Sequence, residues 1–159
     1  MASEKSRYLK HKKDNQPEID WQEMPAILSQ LPNKTLTDIL VQGAEYSEPL
    51  RRSLHVWAAY AMSDGESADL LEKSIRYAMD LTDCDIHYSE SNSYAQIVHA
   101  VQTGIEELAA AGKRELASNL CDLAIELGEA GSEVLQDGHS WDMAVDNLSD
   151  LNTKLFEGK

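Results

Sequence analysis

The spacing of apolar residues constrains this chain more than any other feature. They recur at three- and four-residue steps almost throughout, and the period-two alternation of half-buried strands is nearly absent. That spacing gathers side chains on one face of an α-helix, which must then be covered by another element. The clearest stripe is Tyr94, Ile97, Val98, Val101, Ile105 and Leu108, in a helix expected from about Ser93 to Ala111. Gly112 supplies its stop, and Lys113-Arg114 lies beside the negative end of the helix dipole.

Capping residues divide the rest. Ile19-Asp20-Trp21-Gln22-Glu23-Met24 reads as a helix start, with Asp20 and Glu23 as a capping box and Ile19 and Met24 as a hydrophobic staple. Pro25 removes an early backbone bond, so a distorted first turn and a short helix ending near Leu31-Pro32 are expected. A second helix is expected from Thr35, with Leu36, Ile39, Leu40, Gly43 and Ala44 inward. Ser47-Glu48-Pro49 restarts the chain as cap and first turn. The third helix then turns Leu50, Leu54, Trp57, Ala58 and Ala61 inward and ends at Asp64-Gly65. Ser67 caps a fourth, presenting Leu71, Ile75, Ala78 and Thr82, and a loop follows over Asp83–Ser91.

Beyond Gly112 a sixth helix carries Leu116, Leu120, Leu123, Ala124 and Leu127. Its flank of Ala117, Cys121, Ala124 and Gly128 is small enough to admit another helix closely. Asp137-Gly138 breaks the chain, and Ser140 caps a last helix showing Trp141, Ala144, Val145, Leu148, Leu151 and Leu155. The expected fold class is therefore all-α. About seven antiparallel helices form helical hairpins, as a compact bundle or a short α-solenoid of the TPR or HEAT kind. Residues 1–17 read as a basic flexible leader and 18–157 as a single all-α domain, a size that needs no staples to fold.

Charge narrows the partners. Of 14 basic and 28 acidic residues, residues 1–13 hold five bases and one acid, and the other 146 hold 9 bases and 27 acids. A body this acidic repels nucleic acid, and its isolated doublets Arg51-Arg52 and Lys113-Arg114 make no basic patch. No run of about 18 apolar residues suggests a membrane span, and the first residues lack the apolar stretch of a secretion signal. A cytoplasmic protein of bacterial type is expected, with Cys84 and Cys121 as reduced thiols.

Chemistry-bearing motifs are scarce. Cys84-Asp85-Ile86-His87 offers half a zinc site at most, because Cys121, His55, His99 and His139 supply no second close pair. A calcium loop begun at Asp83 fails where glycine and the bidentate glutamate belong. There is no nucleophile elbow, phosphate-cradling glycine loop or H-E-x-x-H pair. No catalytic residue and no cofactor are expected, and Cys84 and His87 are only weak metal candidates. Trp21, Tyr46, Tyr60 and Tyr88 fall near helix ends and loops, where aromatics serve interfaces, and they are the interaction candidates.

The stretch IDWQEMPAILSQLPNKTLTDILVQGAEYSEPLRRSLHVWAA resembles the helical region that accompanies SWIM zinc fingers in large bacterial proteins. There a leucine-rich helix leads into an L-x-x-L-L segment and a DP-x-LRR-x-L helix start. Here that start is Ser47-Glu48-Pro49-Leu50-Arg51-Arg52-Ser53-Leu54. GIEELAAAGKRELASNLCDLAIELGEAGSEVLQD is similar to the helical-repeat hairpins of the same proteins, so the resemblance spans residues 19–137. The zinc finger itself pairs C-x-C with C-x-H. Neither occurs here, and no zinc ligand carries over. The resemblance implies a scaffold for protein–protein interaction without catalysis.

The expected function is a non-enzymatic acidic module that binds a partner protein, in particular an inhibitor or immunity-type protein that neutralises a basic enzyme. One alternative is a small helical enzyme or metal- or ligand-binding bundle built on Glu72, Asp83, Asp85, His87 and His99. Another is a nucleic-acid mimic whose carboxylates imitate phosphates.

Overall fold

The computed structural model describes residues 19–63 and 69–157, with Tyr88 described in its backbone alone. These residues form seven α-helices and no strand, so the fold is all-α. A 3₁₀ turn over Trp21–Glu23 precedes α1 (Met24–Leu28), followed by α2 (Asn33–Tyr46), α3 (Glu48–Met62) and α4 (Asp69–Met79). A second 3₁₀ segment, Tyr88–Tyr94, leads into α5 (Ala95–Ala110), then α6 (Arg114–Val134) and α7 (His139–Glu157). The basic leader, the Asp64-Gly65 break and the Ser67 cap lie outside the described residues. The chain divides into two compact units, residues 1–40 and 41–159.

In the first unit the Asp20 carboxylate accepts the Gln22 N–H at 3.0 Å, and Pro25 stands at the start of α1, where no helical N–H is needed. The distorted turn and short helix are those expected from Pro25. The inward stripe is not. Between residues 19 and 40 no residue is buried, and Ile39 and Leu40 are 54% and 45% exposed. Helix α2 also starts at Asn33, two residues before Thr35.

In the second unit each helix from α3 to α5 packs on the next helix and on the next but one, α6 packs on α7, and α5 touches α3, α4, α6 and α7. The α5 stripe from Tyr94 to Leu108 is buried throughout. Gly112 adopts φ +85°, the left-handed closure for which glycine is suited. Ser47 caps α3 by accepting the Leu50 N–H at 3.2 Å. The buried face of α3 is turned from the apolar stripe, however. It holds Pro49, Arg52, Ser53, Val56 and Ala59, while Trp57 is 40% exposed. Arg52 and Ser53 have bonds to make inside, and an apolar pattern cannot register them.

Two other expectations are corrected by side-chain capping. Thr82 lies beyond the end of α4, where its hydroxyl and N–H both donate to the Asp80 carboxylate, at 2.6 and 3.1 Å. These bonds favour the ionised form and hold the Asp80 carboxyl below its ordinary value. Ser140 is already inside α7, and its N–H donates to Asn92 Oδ1 at 3.3 Å, so the cap comes from the 3₁₀ segment.

Helices α6 and α7 form an antiparallel hairpin along a seam of small residues. Ser118 meets Asn152, Cys121 donates its S–H to the Leu148 carbonyl at 3.2 Å, and the Trp141 indole N–H donates to the Gly128 carbonyl at 2.8 Å. Trp141 is fully buried, and it fits because Gly131 has no side chain. A methyl there would lie 2.6 Å from Trp141 Cζ2. Gly131→Ala should lower stability by about 1–3 kcal/mol, because the indole is a rigid neighbour that must shift as a whole. A urea midpoint at or above the wild-type value would contradict this packing.

Burial pushes the Cys121 thiol from 9.0 up to about 12, with Asp122 adding to the shift. A raised folded value means this contribution to stability is complete below pH 9.0, where both states are protonated, and is lost between pH 9.0 and about 12. Stability should therefore fall through that window with a slope approaching about 1.4 kcal/mol per pH unit from this group. Cys121→Ala should flatten the slope in denaturation curves collected across the same pH range.

Candidate functional site

The C-terminal end of α4 leaves backbone carbonyls without helical partners, and one buried side chain on α3 collects them. Arg52 Nη1 donates to the carbonyls of Tyr77 at 2.7 Å, Asp80 at 2.9 Å and Ala78 at 3.3 Å. Its Nε donates to Glu48 Oε1 at 2.9 Å, and Nη2 to the Cys84 sulfur at 3.1 Å. The Tyr77 ring stands 5.1 Å from the guanidinium carbon, within cation–π range. Burial works against the Arg52 charge, but Glu48 and the other neighbours more than offset it, and its pKa lies above the ordinary value.

Around this hub lies a cavity of about 540 Å³. Its walls come from the end of α2 and the start of α3 (Tyr46, Ser47, Glu48, Pro49, Arg52), from Asp83-Cys84-Asp85, and from Glu90, Ser93 and Tyr94 of the 3₁₀ segment. Small-molecule sites commonly fall in this size range, roughly 300–1,000 Å³. Glu48 is engaged by Arg51 at 2.7 Å as well as by Arg52. Asp83, Asp85 and Glu90 are exposed and make no ion pair among the described residues.

Two neutral groups complete the wall. Burial raises the Cys84 thiol, and Glu48, Asp80 and Asp83 add to the shift while Arg52 opposes it. Burial also raises the Tyr94 phenol, helped by Cys84, Glu48 and Glu90. Both are therefore protonated at neutral pH. Neither is a ready nucleophile, because reactive thiols need a depressed pKa.

The candidates from sequence scatter. Trp21 is 79% exposed and Tyr46 90% exposed, whereas Tyr60 is half-buried on the core and the Tyr88 side chain lies outside the described residues. Cys84 and His87 do not converge. The sulfur faces Arg52, while His87 Nδ1 meets the Ser89 hydroxyl at 2.8 Å and caps the 3₁₀ segment. Among the described residues no three His, Cys, Asp or Glu side chains are grouped to hold a metal ion. Of the five residues of the enzyme alternative, only Asp83 and Asp85 share the cavity. Glu72 pairs with Arg76 at 3.0 Å, and His99 is exposed. His55 stacks edge-on against Tyr77 at 5.0 Å. Sequence reasoning missed Arg52, Glu48, Glu90 and Tyr94 as a group. The available signal was the i, i+4 pair Glu48–Arg52 at the start of α3.

Fold and site together define an all-α protein with a buried arginine hub and an acidic cavity beside it. Compared with family models, with curated proteins and with solved structures, the chain matches none.

Arg52→Met keeps the length of the side chain but leaves the α4 carbonyls and Glu48 without their donor. It should lower stability by about 1.5–3 kcal/mol, the range for hydrogen bonds to a charged group. Arg52→Lys should recover only part of this, since an ammonium cannot reproduce the planar fork. An Arg52→Met chain as stable as wild type in chemical denaturation would show that the hub contributes nothing.

Proposed function

We propose that this chain is a non-enzymatic protein-interaction module whose residues 19–40 engage a partner. One observation carries the reading. In that unit Trp21, Ile27, Leu28, Leu31, Ile39 and Leu40 are all at least 36% exposed, and not one residue is buried. Scattered apolar residues on a surface mean little, but a described segment that buries none of its own presents them for another surface to cover. Ile27 and Leu28 end α1 and Leu31 lies in the bend just beyond it, so three exposed apolar anchors fall within five residues, a cluster that suits a hydrophobic groove.

The net charge of −14 favours a partner whose groove has a basic rim, with charge governing encounter more than affinity. The resemblance in residues 19–137 points to the same class of function. Burying one such side chain contributes about 1.5–3 kcal/mol, so Trp21→Ser/Leu28→Ser/Leu31→Ser should weaken partner binding by well over a hundredfold. The measurement is quantitative affinity capture with wild type and the triple variant in parallel, at low and high salt. A partner held in stoichiometric amount by wild type, lost by the variant and weakened by salt is expected. Identical captured proteins from both chains would refute the reading, provided circular dichroism shows equal helicity.

A further inference from the structure

We propose that the cavity beside Arg52 binds a primary alkylammonium group. Three observations select that chemistry. The first is charge. Glu48 is neutralised by Arg51 and Arg52, which leaves Asp83, Asp85 and Glu90 as the uncompensated charges on the wall.

The second is Tyr94, which is only 5% exposed and lines the cavity, yet its hydroxyl makes no hydrogen bond among the described residues. The ring belongs to the apolar core, but the oxygen is not among the fully enclosed polar atoms that lack a partner. The geometry therefore leaves the hydroxyl facing the cavity, where a buried tyrosine ordinarily finds a partner. A phenol oxygen accepts an ammonium N–H while keeping its own proton.

The third observation excludes the opposite charge. Of the five Arg52 N–H groups, Nε is taken by Glu48, both on Nη1 are shared among three carbonyls, and one on Nη2 is taken by Cys84. One Nη2 N–H remains, too few for the bidentate fork by which arginine recognises a phosphate or a carboxylate. An anion would also face the carboxylates at close range.

An ammonium seated here meets the Tyr94 oxygen on the cavity wall, within the field of the exposed carboxylates Asp83, Asp85 and Glu90, and the exposed Tyr46 ring lines the same cavity, where cation–π attraction can add to the hold. The group can arrive on a free polyamine or on a lysine side chain, and it requires no contact with residues 19–40.

The test is an NMR titration of the ¹⁵N-labelled full chain with spermidine and, separately, with Nα-acetyl-lysine amide. Inorganic phosphate serves as the anionic control. Saturable shifts confined to the amides of Cys84, Asp85, Glu90 and Tyr94, weakened by added NaCl, are expected from at least one amine. The tighter amine identifies the source. Tyr94→Phe keeps the buried ring and should weaken binding about tenfold through loss of one charge-assisted hydrogen bond. Glu90→Gln, an exposed change that cannot disturb the core, should weaken binding and flatten the salt dependence. Shifts that never saturate and spread over the whole acidic surface would overturn the proposal. So would saturation by phosphate, or amine affinity unchanged in both variants.

Discussion

One guanidinium taken out of water organises the site end of this molecule. A helix terminus exposes carbonyls that need donors, and a cation is the strongest donor available near the negative end of a helix dipole. Arg52 meets both needs for α4, and Glu48, one turn earlier on α3, keeps the charge matched. The crossing of α3 over the end of α4 is thereby fixed by directional bonds as well as by apolar contact. The loop through Cys84 is anchored on the same guanidinium, and the cavity exists because that loop, the start of α3 and the 3₁₀ segment are all held around it. Tyrosine 94 supplies the link to the core, since it ends the 3₁₀ segment while its ring packs beneath α5.

The other end of the second unit uses the opposite device. At the α6–α7 seam the bonds are few and the fit is close. Gly128 and Gly131 let Val145 and Trp141 approach to distances that any Cβ would block. Dispersion and apolar burial then supply most of the energy, and the bond from the indole N–H to the Gly128 carbonyl leaves that buried donor satisfied. A rigid hairpin on one side and a bonded hub on the other flank α5, which touches all four neighbouring helices.

How much of this was legible follows from the same division. The α5 stripe, the α6 flank of small residues and the α7 stripe were readable because apolar periodicity is a direct statement about which face is buried. On α3 the periodicity misled by part of a turn. Its buried face carries Arg52 and Ser53, and a pattern built on hydrophobicity scores both as outward. On α2, Ile39 and Leu40 have helical spacing but nothing to cover them, and spacing alone cannot say whether a partner face belongs to the same chain. The cavity was illegible for a third reason. Glu48, Cys84, Glu90 and Tyr94 are brought together by tertiary packing across more than forty positions, and the i, i+4 pairing of Glu48 with Arg52 says nothing of the other three.

Charge alone cannot give such a cavity selectivity. The body carries a large negative excess, so every acidic patch on it attracts cations to some degree, and that attraction is screened by salt. What sets the cavity apart is its uncharged equipment. The Tyr94 phenol and the Cys84 thiol stay protonated because burial and nearby carboxylates both oppose their ionisation, so each remains a neutral acceptor. The same carboxylates that draw an ammonium inward therefore also preserve the neutral acceptor that would hold it.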